Sequence, residues 1–234
     1  MKRTLLVLAT AVLCLSSVVA HAGVNVGATR VIYQGKDKEA NLSVTNTVDD
    51  QIPYLIQSWV SEYGGGDDTS EKFIITPPLF RLDPGSQNML RILAVQANQL
   101  PTEKESLFSV NVKAIPAKNN DPAKQNVLQI AIKTSIKLFY RPEGLSGSLI
   151  EAAKGMAWSS ENGSLTFANP SGYHIVVSKL LINGVEQKGM PDVIAPGQRG
   201  SVSIPAKAGD SLTLSYINEY GSAVDAPATT LPYR

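Results

Sequence analysis

In LQIAIKTSIKLFY, residues 128–140, every even-numbered position except Thr134 carries a large apolar or aromatic side chain: Leu128, Ile130, Ile132, Ile136, Leu138 and Tyr140. A period of two sends these side chains to one face of a strand. At about 3.3 Å per residue the run spans about 43 Å, roughly twice a typical strand, so it is expected to outrun its own sheet. The overhang would leave peptide groups and apolar side chains unpaired, an edge that selection normally removes as an aggregation hazard. When such an edge is kept, lending it to another chain is its natural use. Spacing alone also fits a plainer arrangement in which Leu128, Ile130 and Ile132 face the core of their own domain.

Working outward from this run, short β-rich segments recur at 29–33, 40–46, 54–60, 89–93 and 107–115, separated by turns such as Asp83-Pro84-Gly85 and Gly64-Gly65-Gly66-Asp67. A second series follows at 164–168, 175–182, 201–204 and 212–217. Asn162-Gly163 and Asn183-Gly184 within it suit two-residue hairpin turns. Helical periodicity never persists beyond a turn or two. The pattern predicts an all-β chain built as sandwiches. Pro142 cannot donate to a ladder and Glu143-Gly144 follows it, so the domains are expected at 23–142 and 145–234.

Residues 1–22 read as a secretory signal: Lys2 and Arg3, an apolar run, then Ala20-His21-Ala22 before Gly23. Its removal takes the 21 basic residues to 19 against 20 acidic ones, a net charge of −1 that gives no support for binding nucleic acid or an anionic membrane; no other long apolar segment follows, so no membrane insertion is expected. The single cysteine, Cys14, lies in the signal, and His174 is then the one remaining histidine. That leaves no cysteine nucleophile and no Cys or multi-His metal cage, so no catalytic residue, metal or cofactor is expected. His174, beside the strand-like 175–182, reads as a surface or strand-start residue. Asp67 and Asp68 lack the alternating oxygen ligands of a calcium loop, and Thr76-Pro77-Pro78 fixes an extended segment that can hold a cis bond.

Several segments, in order, resemble those of the PapD-like periplasmic pilus (fimbrial) chaperones: Thr29-Arg30-Val31-Ile32, Thr76-Pro77-Pro78, Arg81-Leu82-Asp83-Pro84-Gly85, Glu105-Ser106-Leu107-Phe108 and Ile136-Lys137-Leu138-Phe139-Tyr140-Arg141-Pro142. Ala168-Asn169-Pro170 and Tyr216-Ile217-Asn218-Glu219-Tyr220-Gly221 extend the likeness into the second domain. The polar stretch 116–127 resembles the short-loop branch of the family. The resemblance implies two immunoglobulin-like β-sandwich domains arranged as a boomerang with a cleft between them.

Function follows from the same resemblance. It implies a non-enzymatic periplasmic chaperone that binds and folds pilin subunits by donor-strand complementation and delivers them to an outer-membrane usher. Leu128, Ile130 and Ile132 would be the donor strand, and Arg30 with Lys137 would anchor the subunit's C-terminal carboxylate. Glu105, Arg141 and Glu219 would form a charge bridge between the domains, with glutamate at 219 where the family commonly has aspartate. Apart from the resemblance, the apolar overhang would let the free chain cap itself as a homodimer, and the sequence leaves its oligomeric state open. Lys137 has the opposite parity to Leu128, Ile130 and Ile132, so a straight strand points it away from them. The competing function is a secreted pilus structural subunit or adhesin with Ig-like domains. Pilins of that type resemble single incomplete sandwiches with a disulfide, unlike this chain.

Overall fold

The computed structural model describes residues 23–48, 51–117 and 128–233. The expected signal at 1–22 and most of the short loop, 118–127, lie outside the described residues. Nine strands make the first sandwich: β1 (Val24–Val26), β2 (Arg30–Gln34), β3 (Ala40–Asn46), β4 (Tyr54–Glu62), β5 (Phe73–Thr76), β6 (Leu79–Leu82), β7 (Gln87–Ala94), β8 (Ser106–Pro116) and β9 (Ile132–Arg141). One sheet runs β1-β3-β7-β5 and the other β2-β9-β8-β4-β6. Their facing sides close over a core that includes Leu42, Ile56, Leu90, Ile92 and Leu138, with Tyr33, Phe73, Phe108 and Tyr140 in edge and stacked ring contacts. The peptide bond between Thr76 and Pro77 is cis.

The edge strand changes sheets between β1 and β2. β1 pairs antiparallel with β3, whereas β2 crosses to the opposite sheet and pairs parallel with β9. Gly27 sits at the crossing with its amide on Ser43 O at 2.9 Å, and a Cβ there would lie 2.0 Å from Ser43 Oγ. Only glycine lets the backbone approach this closely. The crossing sets Arg30 directly beside Lys137, and Val31 beside Leu138, as Cα partners.

The second unit begins with a short helix, α1 (Leu149–Lys154), capped by the Ser148 hydroxyl on Glu151 N and burying Ala152 and Ala153. Then come β10 (Ala157–Glu161), β11 (Ser164–Ala168), β12 (Ile175–Ile182), β13 (Val185–Gln187), β14 (Val193–Ile194), β15 (Arg199–Pro205), β16 (Ser211–Ile217), β17 (Ala223–Asp225) and β18 (Thr229–Thr230). They form a β10-β11-β15 sheet and a β13-β12-β16-β17 sheet, with β14 beside β12 and β18 beside β16. A separate core gathers Trp158, Leu165, Ile175, Leu180, Ile194, Leu212 and Leu214. Asn162 and Asn183 have φ of 52° and 51°, each followed by a glycine at 78°, in the hairpins joining β10 to β11 and β12 to β13. Both central residues at positive φ is the type I′ geometry that Asn-Gly favours.

The strand expected over 128–140 is shorter at its front. Ladder pairing starts at Ile132, opposite Ala114 of β8, and continues without a register shift to Tyr140 opposite Ser106. Residues 128–131 carry no strand assignment. Among the described residues no helix is long and apolar enough to cross a membrane.

Candidate functional site

β9 has a different neighbour on each face. Its even positions Ile136, Leu138 and Tyr140 enter the core of the first sandwich. Its odd positions Lys137, Phe139 and Arg141 face the second: Lys137 pairs with Asp192, the Phe139 ring packs edge-on against His174, and Arg141 reaches Glu219. The opposite parity of Lys137 therefore needs no bulge. Toward the N-terminal end the inner face runs past the end of the core. Leu128, Ile130 and Ile132 are 84 %, 63 % and 58 % exposed. Ile130 and Ile132 flank an open groove of about 150 Å³ shared with Val24, Tyr54 and Ala114.

The cleft cations come together by register. Arg30, the first residue of β2, donates from Nη1 to Ile217 O of the second sandwich at 3.4 Å, while its buried Nε has no partner among the described residues. Burial lowers the Arg30 pKa, opposed by the charge of Asp192. Lys137 Nζ sits 2.9 Å from Asp192 Oδ2 and 5.5 Å from the centre of the Tyr63 ring. Tyr63, just past β4, donates its hydroxyl to the same Asp192 oxygen at 2.8 Å. Burial and then the hydrogen bond to Asp192 push the Tyr63 phenol up to about 12. Partial burial works to raise the Asp192 carboxyl, but the hydrogen bonds from Lys137 and Tyr63 outweigh it and hold it below the usual carboxylate range.

At the other end of β9, Arg141 spans the two sandwiches. Its Nε donates to Glu105 Oε1 at 2.9 Å, its Nη1 to Glu219 Oε1, and its guanidinium lies 4.9 Å from the Tyr173 ring centre. Glutamate at 219 thus reaches the guanidinium despite its extra methylene. Glu105 is nearly fully buried and accepts the His174 amide at 2.9 Å through Oε2, while its own amide donates to Gly172 O at 2.8 Å. His174 stands one residue before β12 as expected, but it is buried rather than on the surface, with Nδ1 3.4 Å from Glu105 Oε2. A further close approach joins two motif residues. Gly221 has φ +89° and a Cβ there would lie 2.3 Å from Thr29 Oγ1, so glycine is needed both for the turn and for contact between domains.

The family described as "Pili and flagellar-assembly chaperone, PapD N-terminal domain" matches residues 23–146, and "Pili assembly chaperone PapD, C-terminal domain" matches 151–228. The chain belongs to the PapD-like pilus chaperones. The chaperone protein FimC of Escherichia coli is 42 % identical over 203 residues, covering 87 % of this chain and 82 % of that protein. The chaperone protein LpfB of Salmonella typhimurium is 42 % identical over 210 residues, 87 % of each chain. Among solved structures, the periplasmic chaperone SfaE has a TM-score of 0.73 at 36 % identity, over 91 % of this chain and 100 % of its own. The SafB chaperone of Salmonella enterica, solved in complex with SafA pilin, has a TM-score of 0.77 at 28 % identity, over 91 % of this chain and 98 % of its own. These relatives are chaperones, so the alternative of a pilus subunit or adhesin is set aside.

Within this PapD-like chain the structure brings Arg30 and Lys137 side by side and joins Glu105, Arg141 and Glu219. It leaves Leu128, Ile130 and Ile132 exposed, away from the cations. Sequence reading missed Asp192 and Tyr63. Both stand far from Lys137 in the chain, in segments with no charge pattern, and only the fold makes them neighbours. It also gave no physical reason for Asn169. That side chain is buried, with its amide donating to Tyr173 O at 2.8 Å and Ala195 O at 3.1 Å and its oxygen accepting from Ser171.

Proposed function

We propose that this chaperone works in the periplasm by lending residues 128–132 to a pilin subunit, with Arg30 and Lys137 holding the subunit's C-terminal carboxylate. The observation that carries the proposal is the exposure of Leu128, Ile130 and Ile132, which share the parity of the core-facing residues of β9. Burying each in a partner groove is worth about 1.5–3 kcal/mol before ordering costs. The backbone ahead of Ile132, which joins no strand among the described residues, supplies a ladder edge at the same time. A charge-assisted contact to the carboxylate adds about 1.5–3 kcal/mol and fixes which donor side chain meets which pocket.

In this reading residues 23–142 and 145–234 are the two working units, and the cleft between them seats the end of the subunit. The pilin is passed to an outer-membrane usher by exchanging one strand for another, a step driven by folding energy. Before capture, the free chain covers its own exposed stretch by pairing with a second copy, visible as a concentration-dependent mass in sedimentation.

The test is co-purification from periplasm. The wild-type chain is expected to bring down a pilin at equal stoichiometry. Arg30→Glu and Lys137→Glu are expected to remain folded and to lose at least about tenfold in subunit recovery, the equivalent of one charge-assisted bond. Wild-type recovery by either variant contradicts the anchor.

A further inference from the structure

We propose that Asp192 is a resident carboxylate that holds Lys137 in the free chaperone and gives it up to the incoming subunit, so that capture is an exchange of acids. The proposal rests on the anchor reading above. The two cleft cations are unequally engaged. Lys137 is paired at 2.9 Å with Asp192, which Tyr63 steadies through the same oxygen. Arg30 carries a buried Nε with no partner among the described residues and a single long contact from Nη1. Arg30 therefore has donor capacity to spare for an arriving carboxylate, whereas Lys137 is already taken.

The geometry suits release. The backbone of Asp192 is fixed beside β12, with its carbonyl accepting from Val177 N at 2.9 Å, yet its side chain is 60 % exposed. It can swing into water without moving the strand. Until then it keeps the ammonium in place over the Tyr63 ring. An exposed partner of this kind binds weakly, because solvent screens the pair. That makes Asp192 a competitor that lowers affinity slightly and eases release, rather than a lock. Neither Glu105 nor Glu219 can play the part, because both are committed to Arg141 at the far end of β9.

The test uses the full chain and the pilin that co-purifies with it. Asp192→Asn keeps the size and the Tyr63 contact while removing the competing charge, and is expected to tighten pilin binding about fivefold, mostly through slower dissociation. A second readout follows the Asp192 carboxyl carbon by NMR during acid titration. In the free chain it should titrate below the ordinary carboxylate range, and in the complex it should move up as Lys137 leaves it. Unchanged or weaker binding by Asp192→Asn, or a titration that does not move on complex formation, overturns the exchange while leaving the anchor standing. Wild-type capture by Arg30→Glu is a different failure: it removes the anchor, and this proposal with it.

Discussion

Asn169 shows how one side chain can hold a fold corner. It sits between β11 and β12, buried, and bonds the carbonyls of Tyr173 and Ala195 together with the amide of Ser171. Such bonds are modest when made and costly when one partner is removed, because the groups left behind stay desolvated. Asn169→Ala is expected to lower stability by about 3 kcal/mol, read as a drop in the urea midpoint with little change in slope. A change below about 0.5 kcal/mol would mean water replaces the amide. In the sequence Asn169 was visible only as part of a motif. Nothing in Ala168-Asn169-Pro170 says which carbonyls it will meet, because Ala195 arrives from a later turn. Asp192 was silent for the same reason, whereas Arg30 and Lys137 were legible through the segments around them.

At the scale of an element, the run from Leu128 to Arg141 divides into two stretches with different surroundings. Leu138 is fully buried in the first core, and Ile130 lies outside any strand with its side chain in solvent. Leu138→Ala is therefore expected to cost about 2–5 kcal/mol in denaturant unfolding. Ile130→Asp is expected to unfold at the wild-type midpoint and to lose subunit recovery from periplasm. The reverse pattern, or wild-type recovery by Ile130→Asp, would mean that this side chain enters no partner groove. The alternation over 128–140 announced a strand and its faces, but it could not show where pairing starts, since periodicity continues beyond the last hydrogen bond to β8. Strands of two to four residues, such as β1, β5, β6 and β14, escaped because so few positions carry no period. Both Asn-Gly hairpins were legible, because that dipeptide has the positive φ values the turn requires.

Across the whole molecule, two sandwiches with separate cores are tied by a few contacts at one cleft, and Arg141 makes the central one. Glu105 is almost completely buried, so deleting its cationic partner leaves a desolvated carboxylate held by little more than the His174 amide. Arg141→Ala is expected to destabilise the chain by about 3–5 kcal/mol, and to split unfolding into two transitions as the domains uncouple. Glu219→Ala, at an exposed partner, is expected to cost about 0–1 kcal/mol. A single transition at the wild-type midpoint for Arg141→Ala would show that the remaining cleft contacts suffice to join the domains. Two domains were foreseeable from the two series of strands and from Pro142. Which charges join them, Glu105, Arg141 and Glu219, was legible only through the resemblance to the family, because ion pairs so far apart in the chain depend on a cleft that no local pattern encodes.

Amide hydrogen exchange across residues 128–132, in the free chaperone and in its complex with the co-purified pilin, tests the central claim most directly. Strand lending predicts rapid exchange at these amides in the free chain at low concentration and at least about hundredfold slower exchange in the complex. Equal exchange in both states, with the pilin still bound, would show that the subunit is held elsewhere and would contradict the claim.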